Sequence, residues 1–159
     1  MNGKTFRAGE PARRIKQNLR KYPKWLKDEA HKEYVERAME KFANYKARVV
    51  INNKRLFMID WQGENDGTAD EMHYILDKER GVFTVYGDLG EAIAYFCYRV
   101  EVKDLLSYLY MASRDYFLEK IVAGNPYAIY PTIGVQEIES VYLWVLGFFM
   151  ACEDAGLRG

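Results

Sequence analysis

The sequence predicts an α+β domain, a four-stranded antiparallel meander flanked by N-terminal and C-terminal helices. Three observations carry this. Apolar residues recur at helical spacing before residue 45 and again after residue 90. Between them lie four short runs rich in β-branched and aromatic residues. The connections between those runs are short, and sequential strands joined in that way pair with their neighbours. With 159 residues, 49% hydrophobic and 15% aromatic, the chain suffices for one domain with a real core and is not a disordered segment. It reads as one unit, 1–159, with a basic helical segment at 1–45, the meander at 46–86 and a helical part at 87–159.

"GEPARRIKQNLRKYP" reads as a short helix. Pro11 suits its first turn, where a missing N–H costs nothing, and Ile15, Leu19 and Tyr22 share a face. Pro23 ends it. In "KWLKDEAHKEYVERAMEKFANYK", Leu26, Ala30, Tyr34, Ala38, Phe42 and Tyr45 form one apolar stripe opposite a solvated face of Glu and Lys. The strands are "ARVVI", "RLFMIDW", "EMHYIL" and "VFTVY". Asn52-Asn53 is expected to supply the positive φ angles of a tight hairpin between the first two. A polar loop, "QGENDGTAD", joins the second to the third, with Asp66-Gly67 as its turn. "DKERG" joins the third to the fourth, and Gly81 fits the left-handed position of a bulged hairpin.

After "GDLG" the pattern reads as helical to the end. A short helix is expected from Glu91 to Tyr98, and a longer one from Val102 to about Val122 with Leu105, Leu106, Leu109, Ala112 and Tyr116 on one face. "AGNPYAIYPTIG" is a loop. The last helix runs from about Val135 to Glu153 and is apolar almost all round after Ser140, so it should be the central, most buried one.

Net charge is zero, but residues 1–60 hold 16 Lys and Arg against 7 Asp and Glu, and residues 61–159 hold 7 against 16. Such asymmetry suits a contact with nucleic acid, with a basic protein or with a second copy of the chain; otherwise the halves neutralise each other inside one fold. The N-terminus is polar and basic, unlike a signal peptide, and the most apolar run, 141–152, is too short to span a bilayer. No membrane association is expected. Cys97 and Cys152 fall in apolar helical surroundings and read as free buried thiols of a reducing compartment. No CxxC or Cys/His set is present, so neither a metal nor another cofactor is expected.

Glycines between a strand and a helix often hold phosphates, but "GDLG" is neither GxGxxG nor a Walker loop, and Asp88 and Glu91 would repel an anion. The expectation is structural: Asp88 as N-cap, with Glu91 completing a capping-box-like pair. Glu64, Asp66, Asp70 and Glu71, with His73 nearby, offer oxygen ligands for a hard cation, yet the EF-hand order is missing and a solvated acidic loop is the simpler reading. His31 and His73 are the only histidines. His73, Ile75 and Asp77 share a strand face, where the carboxylate could orient the imidazole, and a metal-independent ribonuclease would draw on His31, His73 and a lysine. Arg7, Arg13, Arg14, Lys16, Arg20, Lys21, Lys24 and Lys27, with Tyr22 and Trp25 among them, suit phosphates and unpaired bases; alternatively the two aromatics anchor this segment to the core. A pI near 6.7 weighs against a general nucleic-acid role. Conversely, Asp66, Asp70, Glu71, Asp77, Glu79, Asp88 and Glu91 could imitate phosphate spacing in a basic protein groove.

The run "RLFMIDWQ…HYILDKERGVFTVYGDLGEAIAYF" resembles a pattern in small proteins of phages and mobile elements of low-GC Gram-positive bacteria. There "DW", "ILDxxRGxxxxxGDLG" and an Ala-containing aromatic helix follow in this order; the likeness covers residues 55–97, about a quarter of the chain. Some proteins of this kind are similar to anti-CRISPR proteins. The resemblance therefore implies an inhibitor in the cytoplasm of a bacterial host cell. It would bind a CRISPR effector nuclease or its ribonucleoprotein and block nucleic-acid loading. No catalytic residue transfers with it. The residues themselves leave two alternatives, a ribonuclease acting on guide or other RNA and a DNA-binding accessory protein using the basic helix.

Overall fold

The computed structural model describes residues 22–65, 68–123 and 135–157. After a 3-10 turn at Lys24–Lys27 come α1 (Lys32–Phe42), β1 (Lys46–Asn52), β2 (Leu56–Asn65), β3 (Thr68–Asp77), β4 (Val82–Gly87) and β5 (Ala92–Tyr95). Then follow α2 (Val102–Met111), α3 (Arg114–Leu118), β6 (Ile121–Ala123) and α4 (Val135–Asp154). The strands form one antiparallel sheet in chain order, β1-β2-β3-β4-β5-β6. The α+β class and the meander hold, with six strands where the sequence suggests four.

The extra strands come from segments that read as helical. In Ala92–Phe96 the alanines and Phe96 are buried while Ile93 and Tyr95 face the other way, a period of two. Four residues are too few for alanine's helix preference to outweigh a backbone ladder with β4. "GDLG" therefore turns strand into strand. Asp88 caps no helix; its carboxylate accepts the Glu71 N–H at 2.7 Å, and its own N–H donates to the Glu71 carbonyl at 2.9 Å. The long helix expected from Val102 to Val122 stops at Met111, Ser113 caps α3 by accepting the Tyr116 N–H at 3.2 Å, and the chain then extends to pair β6 with β5. Tyr116, expected on a buried face, is exposed.

The other corrections are local. The Asn52-Asn53 turn uses no positive φ, since Cys97 is the only described non-glycine residue with one. Instead the Asn53 side-chain oxygen accepts the N–H groups of Arg55 and Leu56, both at 2.9 Å. "QGENDGTAD" is mostly strand rather than loop: the β2–β3 ladder continues to Asn65 opposite Thr68, and Asp66-Gly67 lies outside the described residues. The Asp28–His31 turn delays α1 until Lys32, so its stripe is Val35, Ala38, Met39 and Phe42, and Ala30 is exposed. Gly81 takes φ 65° as expected. Cys97 is exposed, not buried, while burial pushes the Cys152 thiol up to about 12.

The expectation for the last helix holds. From Val141 to Cys152 α4 is buried on nearly every side, and Tyr74 donates its hydroxyl to the Trp144 carbonyl at 2.8 Å. Phe57, Ile59, Trp61, Met72, Tyr74, Leu76, Phe83 and Val85 turn toward the helices. Each large apolar side chain so buried contributes about 1.5–3 kcal/mol. The alternate residues point the other way, where no described helix covers the sheet. At the β1 edge the Ala47 N–H donates to Asp154 at 2.8 Å, which occupies a donor that another strand would otherwise take. Among the described residues no helix is long and apolar enough to cross a membrane.

Candidate functional site

The open face of the sheet carries a polar row across four strands. Strand register places Arg48 opposite Asp60, Asp60 opposite His73, and His73 opposite Tyr86. Asp60 is only 7% exposed, so its carboxylate needs partners, and the row supplies them. His73 Nδ1 lies 2.8 Å from one Asp60 oxygen, and the Arg48 guanidinium lies 3.4 Å from the other. His73 Nε2 faces Glu71 at 3.3 Å, and Gln62 donates to that same Glu71 oxygen at 3.3 Å. The imidazole also stacks on Tyr86, with centroids 4.7 Å apart and planes 23° from parallel. Nδ1 is thus taken and the ring is held flat against a tyrosine. Beside the row, Met58, Ile75, Thr84 and Ile93 align as a mostly apolar rung, and Tyr95 stands beyond them. Tyr86 and Tyr95 are 45% and 44% exposed. Exposed tyrosines, an arginine and a fixed polar centre are the composition of a protein interface.

The acidic residues singled out from sequence do not form one display. Asp70 points to the helix side, where Tyr45 donates its hydroxyl at 2.6 Å and Lys41 approaches to 3.1 Å. Burial pushes the Asp70 carboxyl up, but Tyr45 and Lys41 outweigh it and hold it below the usual carboxylate value. Burial, and then Asp70, pushes the Tyr45 hydroxyl well up. Asp77 and Glu79 sit at the opposite end of β3 from Glu71. Asp77 accepts the Arg80 N–H and guanidinium, each at 3.2 Å, and that backbone bond leads in lowering its carboxyl. Glu79 pairs with Arg55 at 3.3 Å. Glu64, Glu71 and Asp88 stay exposed at one end of the sheet. Asp66, and the basic residues Arg13, Arg14, Lys16, Arg20 and Lys21, lie outside the described residues. Among the described residues no three His, Cys, Asp or Glu side chains gather as a metal site.

His31 and His73 do not meet. His31 stacks on Tyr142 of α4 with centroids 4.0 Å apart, on the helix-covered side of the sheet, whereas His73 faces the open side. Nor does Asp77 orient His73; the partner is Asp60 on the neighbouring strand. Around His31 a second polar cluster forms. Its Nδ1 lies 2.9 Å from Asp28, Tyr142 donates its hydroxyl in a short bond to the other Asp28 oxygen, and Arg114 donates to the Tyr142 oxygen at 3.0 Å. Burial pulls the Asp28 carboxyl upward, but bonds from Tyr142 and His31 outweigh it and hold it low. Burial, and then Asp28, pushes the Tyr142 hydroxyl up to about 12. Trp25 packs edge-on against Tyr142 at 5.1 Å, and Tyr22 is buried against Phe149. Both aromatics therefore anchor the basic segment to the core, the second of the two roles the sequence allows.

Lys78 is a buried cation beside an open cleft of about 350 Å³. Its ammonium is taken by the Asn53 carbonyl at 2.6 Å and the Asn52 side chain at 3.1 Å, so it pins two hairpins together. Sequence reasoning missed Arg48, Asp60 and Tyr86, as well as Asp28, Arg114 and Tyr142. One signal was visible, an aspartate inside the apolar strand "RLFMIDW". Compared with protein-family models, curated proteins and solved structures, the chain matches none.

Proposed function

We propose that the chain is a non-catalytic binding protein of the phage-inhibitor kind. The open face of its sheet docks on a host CRISPR effector nuclease or its guide-RNA complex and keeps nucleic acid from loading. The observation that supports this is the Arg48–Asp60–His73–Tyr86 row. Its partners hold one another at fixed distances on an uncovered face, which lowers the ordering cost of binding. With Nδ1 bonded to Asp60 and the ring stacked on Tyr86, His73 is held as a fixed part of the binding face. The resemblance over residues 55–97 supplies the partner class, and this segment contains Asp60, His73 and Tyr86. Glu71 and the neighbouring acids suit a groove that normally holds nucleic acid.

The test is inhibition of target-DNA cleavage by purified effector ribonucleoproteins, with binding followed by size-exclusion chromatography. The wild-type chain should inhibit. The double variant Arg48→Glu, Tyr86→Ala should lose about a hundredfold or more in affinity, since interface anchors are worth about 2 kcal/mol each. Its circular dichroism and urea midpoint are measured beside a Tyr86→Ala single variant, because Arg48→Glu also sets a carboxylate against the buried Asp60. Unchanged potency in the folded variant would discard the sheet face as the docking surface.

A further inference from the structure

The open face of the sheet is sorted into rungs of different chemistry. Ile51, Met58, Ile75, Thr84 and Ile93 cross five strands in register, and Leu56, Val82 and Tyr95 lie on the rung beside them. A wet face of an antiparallel sheet normally carries polar residues, and contiguous aliphatic side chains mark a contact surface instead. On the far side of the Arg48–Asp60–His73–Tyr86 row lies a charged rung. Lys46, Gln62 and Glu71 stand in register there, with Asp88 next to Glu71. Lys46 is exposed and, among the described residues, has no carboxylate partner. Glu71 meets Gln62 and His73 through Oε1, and Asp88 accepts the Glu71 N–H through Oδ2. Each carboxylate therefore keeps an oxygen for a new partner. The rung is positive at the β1 edge and negative from β3 onward.

We infer that the free chain forms a twofold dimer through this face, a second copy being the occupant. Stacked sheets pack about 10 Å apart with their strands within about 30° of each other. A twofold axis along the strands, between β2 and β3, lays β1 over β4 of the second copy and β2 over its β3. Each rung then meets itself. Met58 lies over Ile75 of the second copy, and Lys46 lies over its Asp88 and Glu71. Arg48 comes over the Tyr86 ring, where a guanidinium stacks without leaving Asp60. Every such contact occurs twice, as an isologous interface requires. An axis across the strands would instead lay the charged rung on the apolar one and bury unpaired charge. Net charge is zero, so two copies do not repel as whole molecules. The dimer covers the row assigned to the effector, and here the inference rests on that reading: only the monomer inhibits, and the effector competes with self-association.

The test is sedimentation equilibrium of the full chain alone across a dilution series, which should show a monomer–dimer equilibrium. Lys46→Glu sets like charges together at two symmetry-related places and should raise the dissociation constant about tenfold or more. Glu71→Lys should weaken the dimer in the same way. An equimolar mixture of the two variants should recover a mixed dimer, because opposite charges again face each other at both places. Mixing would not repair a folding defect in either chain. Ile75→Lys buries two cations near the axis and should leave the chain monomeric, with circular dichroism checking that the sheet is intact. A monomeric wild-type chain, a dimer indifferent to these variants, or a mixture that recovers nothing would overturn the inference. A monomeric chain that still inhibits would leave the face to the effector alone. A dimer that never inhibits would discard the effector reading and keep the dimer.

Discussion

Asp60 and His73 show how a residue's role depends on a register that no local spacing reveals. They are 13 positions apart, yet the β2–β3 pairing sets them side by side, and a one-residue slip would turn both to the opposite face. Asp77, on the same strand and face as His73, looks the better partner in sequence but is taken by Arg80 in its own hairpin turn. The carboxylates also set how the fold responds to acid. Asp28, Asp70 and Asp77 all have folded-state values below their unfolded ones. Each therefore contributes stability that is present above the unfolded value and is lost as pH falls through the folded one. Urea midpoints should be flat between about pH 7 and 5 and drop below about pH 4. Asp70→Asn should lower the midpoint at pH 7 and flatten part of the acid drop, because Tyr45 and Lys41 no longer favour a charged form there. An equally steep drop in that variant would remove Asp70 from the account.

At the level of elements, long periodic segments were legible and short ones were not. The 20 residues of α4 repeat an apolar pattern often enough to declare themselves, whereas the four residues of β5 match helix and strand equally well. Alanine tips such a reading toward helix, yet here Ala92 and Ala94 are the buried positions of a strand paired with β4. The turn feeding β5 has the same logic. Gly90 has φ 136°, and a Cβ there would stand 2.2 Å from the Ser140 hydroxyl that donates to the Leu89 carbonyl at 2.6 Å. Gly90→Ala thus strains the backbone and pushes α4 off the turn, and should cost about 2–4 kcal/mol. Gly156 has φ 77° with nothing within 4 Å of a new Cβ, so Gly156→Ala should cost only about 1 kcal/mol. Thermal unfolding of the two variants side by side checks the contrast. Equal losses would mean that only the backbone angle, and not contact with α4, constrains Gly90.

For the molecule as a whole, the sequence carries the α+β class but not which face of the meander the helices leave open. Alternation marks two faces on each strand, and only tertiary packing decides that Tyr74 lies under α4 while His73 stays outside. The same packing anchors the described chain from Tyr22 onward. Residues 1–21 hold seven Lys and Arg against one Glu, and the anchors of the next segment, Tyr22, Leu26 and Trp25, all lie beyond them. A chain beginning at Tyr22 keeps these anchors and should therefore still unfold cooperatively. Its net charge falls from zero to −6. If the sheet face grips the effector protein while the basic residues touch RNA, the two contributions separate by salt dependence. The truncated chain should bind RNA-free effector as tightly as the full chain does. Toward the ribonucleoprotein it should bind more weakly, with a shallower slope of log affinity against log salt. Equal slopes for both chains would place all the binding on the sheet, and a loss of RNA-free binding would assign the protein contact to the basic segment.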